Sequence, residues 1–364
     1  MQKETIMQAN KVIRRTRPLL NSSDICNTFY NNGTLEIGFL SKQCKNDARG
    51  SCLMCDYGAT NCSFSTKEYT DKMNEILNKK YVEQNNLLLC SNGSIFAPYQ
   101  VPSGTLKEIV KIASQSAFNK ITFEAHYQDV TDKVLKLIKQ YSSDKKIVIE
   151  MGLESINQRY QDEVILKNIE IDKYEKTIKL IQSYGFTVEV NIMVGLPFLS
   201  QYEQYTYASE AIDWALKRNC LVTVFPINIK PFTLLRVANA NGLYEPISHW
   251  LLITVLNNIN DECLNKLTIA WYGNRIEEYE GHENKTVFPT SCNKCRSLMN
   301  NFYAEFNHTK ASEKRKELLK DLFSKCQCDC KNKIDVSHKS IKFDENYTKF
   351  IELIKREVLQ QENI

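Results

Sequence analysis

Six short apolar runs, each followed by a helical pattern, constrain this chain more than any other feature of its sequence. They occupy residues 35–40, 87–90, 120–124, 147–151, 188–193 and 221–225. Between them apolar side chains recur at i, i+3, i+4 and i+7, as in Val134, Leu135, Leu137, Ile138 and Tyr141. Strands alternating with helices over such a length call for parallel βαβ units joined by right-handed crossovers. The expected fold is therefore α/β, a partial, six-stranded (βα)6 parallel TIM-like barrel rather than an open doubly wound sheet. Parallel barrels form their sites at the carboxyl ends of the strands. The polar residues there become candidates: Ser91, Asn92, Gly93 and Ser94 after the second run, Glu124 at the third, Glu154 after the fourth, Val194 and Gly195 at the fifth, and Lys230 after the sixth.

The first run leads into Cys44, Cys52 and Cys55, spaced C-x7-C-x2-C. Three close thiolates can hold three corners of a cubane iron–sulfur cluster and leave the fourth iron open to a small molecule. A Cys-x2-Cys pair also serves as half a zinc knuckle or as a redox pair, and Cys62 could supply a fourth zinc ligand. Thirteen cysteines is an odd count and no secretory signal is visible, which argues against a disulfide framework.

At 364 residues the chain has room for one large domain and a small appended one. The expected division is an N-terminal extension (1–34), the barrel (35–262), a Cys-rich metal-binding module (263–335) and a C-terminal helix (336–364). Hydrophobic residues at 43% and charged residues at 25% are ordinary for a soluble globular protein. The basic stretch 1–17 lacks the apolar segment of a signal peptide, and no apolar run reaches membrane-spanning length. The expectation is a cytoplasmic protein without membrane association, in a compartment that keeps thiols reduced. Net charge is only +4. The basic spots at Arg14, Arg15 and Arg17, at Lys133, Lys136 and Lys139, and at 314–320 read as solvated helix faces. They permit nucleic-acid binding without demanding it.

Beyond the sixth run come a helix (about 247–260) and a segment containing Trp and Tyr (267–274). The pair Cys292 and Cys295 follows, then a charged helix, then Cys326, Cys328 and Cys330. This pattern has the form of a tetrathiolate site, for zinc or for a second iron–sulfur cluster. Residues 347–362 read as an amphipathic helix through Phe350, Ile351, Ile354 and Val358.

Taken together, these motifs resemble the radical S-adenosylmethionine (SAM) superfamily, in the branch that includes the archaeosine-synthase radical SAM lyase and Elp3-like proteins. The resemblance is carried by Cys44-x7-Cys52-x2-Cys55, by Gly152-Leu153-Glu154-Ser155 with Leu166-Lys167-Asn168, by the stretches 191–197 and 228–233, by Tyr244-Glu245-Pro246, and by the later cysteines. It departs at Met54, where many members have an aromatic residue, at Lys45, Asn46 and Asp47, and at Asn168, where glycine is usual. The resemblance implies that Cys44, Cys52 and Cys55 hold a [4Fe–4S] cluster on whose open iron SAM binds. It implies that Ser91, Asn92, Gly93 and Ser94 hold the SAM amino group, that Glu124 and Glu154 bind its ribose or amino-acid atoms, and that Val194 and Gly195 contact its adenine. Lys230 would neutralise a carboxylate, and Glu124 and Lys230 stand as the catalytic candidates; His126 reads as structural. The implied partners are an electron donor such as flavodoxin or ferredoxin, and tRNA. The implied activity is reductive SAM cleavage to a 5′-deoxyadenosyl radical, used to modify a deazaguanine base of tRNA. The alternatives are a radical enzyme acting on a small molecule or peptide, and a metal-stabilised binding protein.

Overall fold

The computed structural model describes residues 2–17, 24–31, 33–55, 58, 61–142, 144–270 and 286–360. Its centre is one eight-stranded sheet in sequential order: β1 (Cys26–Asn31), β2 (Thr34–Phe39), β3 (Asn86–Ser91), β4 (Lys120–Ala125), β5 (Lys146–Glu154), β6 (Thr187–Val194), β7 (Leu221–Pro226) and β8 (Leu267–Ile269). All six expected strands are present, as β2 to β7, and every pairing from β2 to β8 is parallel. The count of six is corrected at both ends. β1 adds an antiparallel edge to β2, and the three-residue β8 extends the sheet beyond β7.

Successive strand residues point to opposite faces of the sheet. Leu35, Ile37, Leu87, Leu89, Ile121, Phe123, Ile147, Ile149, Val188 and Val190 pack into the large apolar core beneath the helices. The intervening positions face the concave side of the curled sheet. Helices cover the convex face, among them Thr66–Leu77, Ser103–Gln115, Asp132–Tyr141, Ile171–Ser183 and Gln201–Lys217. Two of these open with a full capping box, at Ser65/Glu68 and Ser200/Glu203. The expected helix near 247–260 is His249–Asn257.

A second apolar cluster lies apart from the first. It joins Ile6 and Ala9 of the N-terminal helix (Gln2–Arg15) to Leu53 and Met54 of the cysteine loop and to Phe343, Tyr347, Phe350 and Ile354 of a C-terminal helix (Phe343–Ile354). The charged stretch between Cys295 and Cys326 is two helices, Asn293–His308 and Ser312–Lys325, rather than one. Residues 271–274 of the Trp- and Tyr-containing segment, and 361–362 of the expected last helix, lie outside the described residues. No helix among the described residues is long and apolar enough to cross a membrane.

Candidate active site

The cysteine loop leaves β2 at its carboxyl end. Cys44 precedes a single turn of helix (Lys45–Arg49) that Gly50 terminates in the left-handed region, at φ 84°. A methyl group on Gly50 would lie 2.2 Å from the carbonyl oxygen of Met7, so only glycine lets the N-terminal helix approach this closely. Cys52 adopts φ 59° and donates its N–H to the Ile165 carbonyl at 3.1 Å, while the Cys55 N–H closes a turn onto the Cys52 carbonyl, also at 3.1 Å.

One buried guanidinium gathers the loop. Arg14 Nη1 donates to the Asp47 carbonyl at 2.6 Å, and Nη2 donates to the carbonyls of Ser51, Cys52 and Cys55 at 2.5, 2.9 and 3.3 Å. Its Nε and the Arg17 guanidinium both pair with the Asp47 carboxylate, at 3.1 and 3.0 Å. Arg14 and Arg17 are therefore buried, which corrects the reading of this basic spot as a solvated face. The signal was the alignment of Ile6, Asn10, Arg14 and Arg17 on one helical face.

Burial pushes the Cys52 thiol well above its ordinary range; Lys167 and Arg14 pull it back, and Cys55 and Cys44 act as neighbouring negative charges. The three cysteines and Cys62 do not draw their sulfurs to within 4.8 Å of one another, as the ligands of a single ion would.

The loop after β3 abuts this one. A methyl group on Gly93 would lie 3.1 Å from Cys44 Sγ and 2.8 Å from Gln100 Oε1. Ser94 is fully buried; its N–H reaches Gln100 Oε1 at 2.9 Å, and its hydroxyl accepts the His126 N–H at 3.1 Å. Ser91 Oγ and Asn92 Nδ2 are buried atoms without a hydrogen-bond partner, beside that glycine cradle. Orphaned polar atoms in a loop that abuts the Cys44 thiol are what a polar ligand bound at a cluster would satisfy, so these residues fit SAM.

At the end of β5 the backbone bulges between Gly152 and Glu154, and Glu154 takes φ 67°. Its buried carboxylate pairs with Lys167, a residue absent from the sequence-based candidates. Burial alone would lower the Lys167 ammonium, but Glu154, Cys52 and Cys55 hold it well above its usual value. Lys167 thus links a candidate SAM contact to the cysteine loop.

Glu124 lies on the concave face of β4. Burial, and then Glu36, push its carboxyl up to about 7. Burial lowers the nearby His126 to about 4, which keeps the ring neutral, in keeping with a structural role. The Val194 carbonyl accepts the Ile227 N–H at 3.0 Å and the Gly195 carbonyl accepts the Tyr244 hydroxyl at 2.6 Å. A methyl group on Gly195 (φ 94°) would lie 2.0 Å from Ile247 Cγ2. Lys230 is half-buried in the segment after β7; its carbonyl accepts the Thr233 hydroxyl at 2.8 Å, and Leu235 N–H reaches the Leu53 carbonyl at 3.2 Å.

A second group of thiols forms away from this rim. Sγ atoms of Cys292, Cys295, Cys328 and Cys330 all lie within 4.8 Å of one another. Cys326 Sγ sits 3.6 Å from Cys295 Sγ and 3.4 Å from Cys328 Sγ. Trp250 Nε1 donates to Cys295 Sγ at 3.4 Å. Cys292 caps the helix Asn293–His308; the Cys295 N–H and the Cys330 thiol lower its own thiol to about 6. Tetrahedral zinc with bonds of about 2.3 Å puts its sulfurs about 3.8 Å apart. The group can close on one such ion.

No family model matches the chain. An uncharacterized protein of Methanocaldococcus jannaschii is 20% identical over 358 residues, 93% of each chain. Archaeosine synthase subunit beta of Methanosarcina acetivorans is 23% identical over 229 residues, 61% of this chain and 66% of its own length. Among solved structures, Elp3 of Methanocaldococcus infernus aligns with a TM-score of 0.49 and 13% identity over 76% of this chain and 64% of that one. The radical S-adenosylmethionine methyltransferase TsrM of Kitasatospora setae aligns at 0.47 and 9% identity over 79% and 61%. The chain thus spans just under two thirds of the archaeosine synthase subunit and of Elp3.

Proposed function

We propose that this chain is a radical SAM enzyme. The observation that carries the reading is the loop of Cys44, Cys52 and Cys55, wrapped around Arg14 and set against the Gly93 cradle with its orphaned Ser91 and Asn92 atoms. Cys44, Cys52 and Cys55 would hold a [4Fe–4S] cluster, and the loop after β3, with Glu154, would hold SAM. Bound there, these groups supply reductive cleavage of the sulfonium to a 5′-deoxyadenosyl radical that takes hydrogen from substrate. The protein's own residues do the positioning. Arg14 fixes the loop backbone through four carbonyls. Gly93 leaves room beside Cys44, and Lys167 holds Glu154 in place. Glu124 and Lys230 are proposed to face the reacting substrate.

For the substrate we propose a deazaguanine base in tRNA, supported by the motifs and by the partial likeness to archaeosine synthase subunit beta. The modest net charge of +4 favours a second reading, a small molecule or peptide. The C-terminal thiols are proposed to bind one zinc ion, since their mutual spacing suits a single ion better than a second cluster. A flavodoxin or ferredoxin in a reducing cytoplasm would supply the electron.

Anaerobic reconstitution with iron and sulfide, followed by dithionite and SAM, tests the reading. The expected result is a brown chromophore and 5′-deoxyadenosine, both lost in Cys52→Ser. Colourless protein after reconstitution would overturn it. Affinity for bulk tRNA that falls steeply with salt supports the tRNA substrate; salt-independent absence of binding turns the reading to a small molecule.

A further inference from the structure

We propose that the concave face of the sheet binds a positively charged group of the substrate, an ammonium or guanidinium, through Glu124, Glu150, Glu189 and the amide oxygen of Asn191. This deepens the radical reading above and rests on it for the word substrate; Lys167, which faces Glu124, also faces Cys52 and Cys55.

Alternation along the strands carries the first step. Parallel sheets packed on both faces read as continuous apolar runs, and small barrels fill their interior with Val, Ile and Leu. Here the convex positions are apolar, whereas the concave ones mix Leu88, Val148, Met193, Leu221 and Phe225 with a row of polar side chains. The concave positions include Thr122 and Glu124 on β4, Glu150 on β5, Glu189 and Asn191 on β6, and Thr223 on β7. Such a face is built to meet something polar.

The register carries the second step. Glu124 is paired directly with Glu150 across β4 and β5, and Glu150 directly with Glu189 across β5 and β6. Like charges in directly opposed positions destabilise a sheet. Burial, and then the charges of Glu189, Glu124 and Glu36, hold the Glu150 carboxyl well above the usual range, against the pull of the Asn191 hydrogen bond. Glu36 of β2 also faces Glu124, as do Glu154 and Lys167, and that lysine is already paired with Glu154. Lys120 and Lys146 stand at the opposite ends of β4 and β5, four residues before the glutamates.

An independent atom points to the ligand. Asn191 is only 7% exposed, and its Nδ2 donates to Glu150 Oε1 at 2.9 Å. Its Oδ1 is buried with no partner among the described residues. A lone acceptor beside a row of carboxyl groups that repel one another when ionised is matched by an N–H donor whose positive charge lets them ionise. A metal ion fits poorly. Hard cations draw oxygen ligands to within about 2.6 Å, whereas no three of these carboxylates bring oxygens to within 4.8 Å of one another. Their spacing along neighbouring strands suits an organic cation whose several N–H groups spread over the row.

The probe is spermidine, titrated at fixed ionic strength into the full chain without SAM, with thermal unfolding as readout and magnesium chloride as a parallel arm. Spermidine is expected to raise Tm saturably, and the Glu150→Gln/Glu189→Gln double variant to need about tenfold or more spermidine for the same shift. The amides keep the shape and remove the repulsion, so the double variant itself should melt no lower than wild type. Glu75→Gln, on the exposed side of the helix Thr66–Leu77, should respond as wild type does. An unchanged spermidine response in the double variant overturns the proposal, and so does saturable magnesium stabilisation lost in that variant. If the double variant does not fold, Glu124→Gln is read in the same way. Formation of 5′-deoxyadenosine by the wild-type chain is measured separately. Its failure beside an intact spermidine response sinks the radical reading alone, and the reverse pattern sinks the cation site alone.

Discussion

Lys167 and Glu154 sit in the protein with side-chain exposures of 20% and 4%. Removing one partner of such a pair strands a buried charge, which costs about 3–5 kcal/mol. Lys167→Met should therefore lower the urea midpoint sharply, and adding Glu154→Gln should recover most of the loss; equal instability of both variants would mean that the pair does not hold this corner together. Glu124 allows a pH test. Its folded-state carboxyl titrates near 7 against an ordinary 4.5, so the folded chain keeps that proton longer than the unfolded chain does. Its contribution is fully present below the unfolded value and is lost as pH rises towards 7. His126, lowered from 6.5 to about 4, acts in the opposite sense and weakens the fold as pH falls below 6.5. Glu124→Gln should thus gain stability between about pH 5 and 8 relative to wild type, read as urea midpoints across that range; parallel curves would refute the assignment. Glu154 was legible as a polar residue at a strand end. Lys167 was legible only as part of the Leu166-Lys167-Asn168 motif; its pairing with Glu154 was not, because it reaches the site through a turn in which Leu166 and Asn168 both take positive φ, and no periodicity announces that.

The strands were the most legible elements, since buried runs of Leu, Ile and Val carry a signal that local sequence preserves. The two missed strands show where that signal ends. β1 reads Cys-Asn-Thr-Phe-Tyr-Asn, a half-exposed edge with little apolar content, although Asn32-Gly33 before β2 is a hairpin sign. β8 has three residues and depends on pairing with β7 for its existence. The N-terminal helix was misread because a buried arginine that grips carbonyls is composed like a solvated one. Arg14→Ala removes charge-assisted hydrogen bonds to four loop carbonyls, each worth about 1.5–3 kcal/mol when made to a charged group. Cys52, buried in wild type, should then react with iodoacetamide many times faster, and Arg14→Lys should restore little because one ammonium cannot span the same set of acceptors. An unchanged alkylation rate would show that the loop holds itself. At the other thiol group, one zinc per chain is expected by metal analysis. Its removal by a chelator should lower Tm and free Trp250 from its contact with Cys295, seen as a fluorescence change. Protein purified with no bound metal and no response to chelator would refute that assignment.

The helices Gln2–Arg15 and Phe343–Ile354 both pack against the cysteine loop, and this closure was invisible residue by residue. Leu53 and Met54 share an apolar cluster with Ile6 and Ala9 of the first helix and with Phe343, Tyr347, Phe350 and Ile354 of the second. Phe350 stacks on Phe198 at 4.4 Å, and the Tyr347 hydroxyl donates to the Glu163 carbonyl at 3.1 Å. Buried Glu203 accepts the backbone N–H groups of Ser200 and Lys342, both at 2.9 Å, and so ties the C-terminal helix to the start of Gln201–Lys217. The large core under the sheet contains none of these contacts. The molecule therefore has a βα body and a separate clasp that seats the thiol loop. Ending the chain at Lys342 removes several buried side chains, each worth about 1.5–3 kcal/mol, from the clasp alone. The truncated protein should keep most of its far-ultraviolet circular dichroism while Cys52 alkylates as fast as in Arg14→Ala, and combining the two changes should add little because both open the same loop. Collapse of the whole circular dichroism signal on truncation would mean instead that clasp and body form one cooperative unit, and that the loop owes its shape to the entire fold.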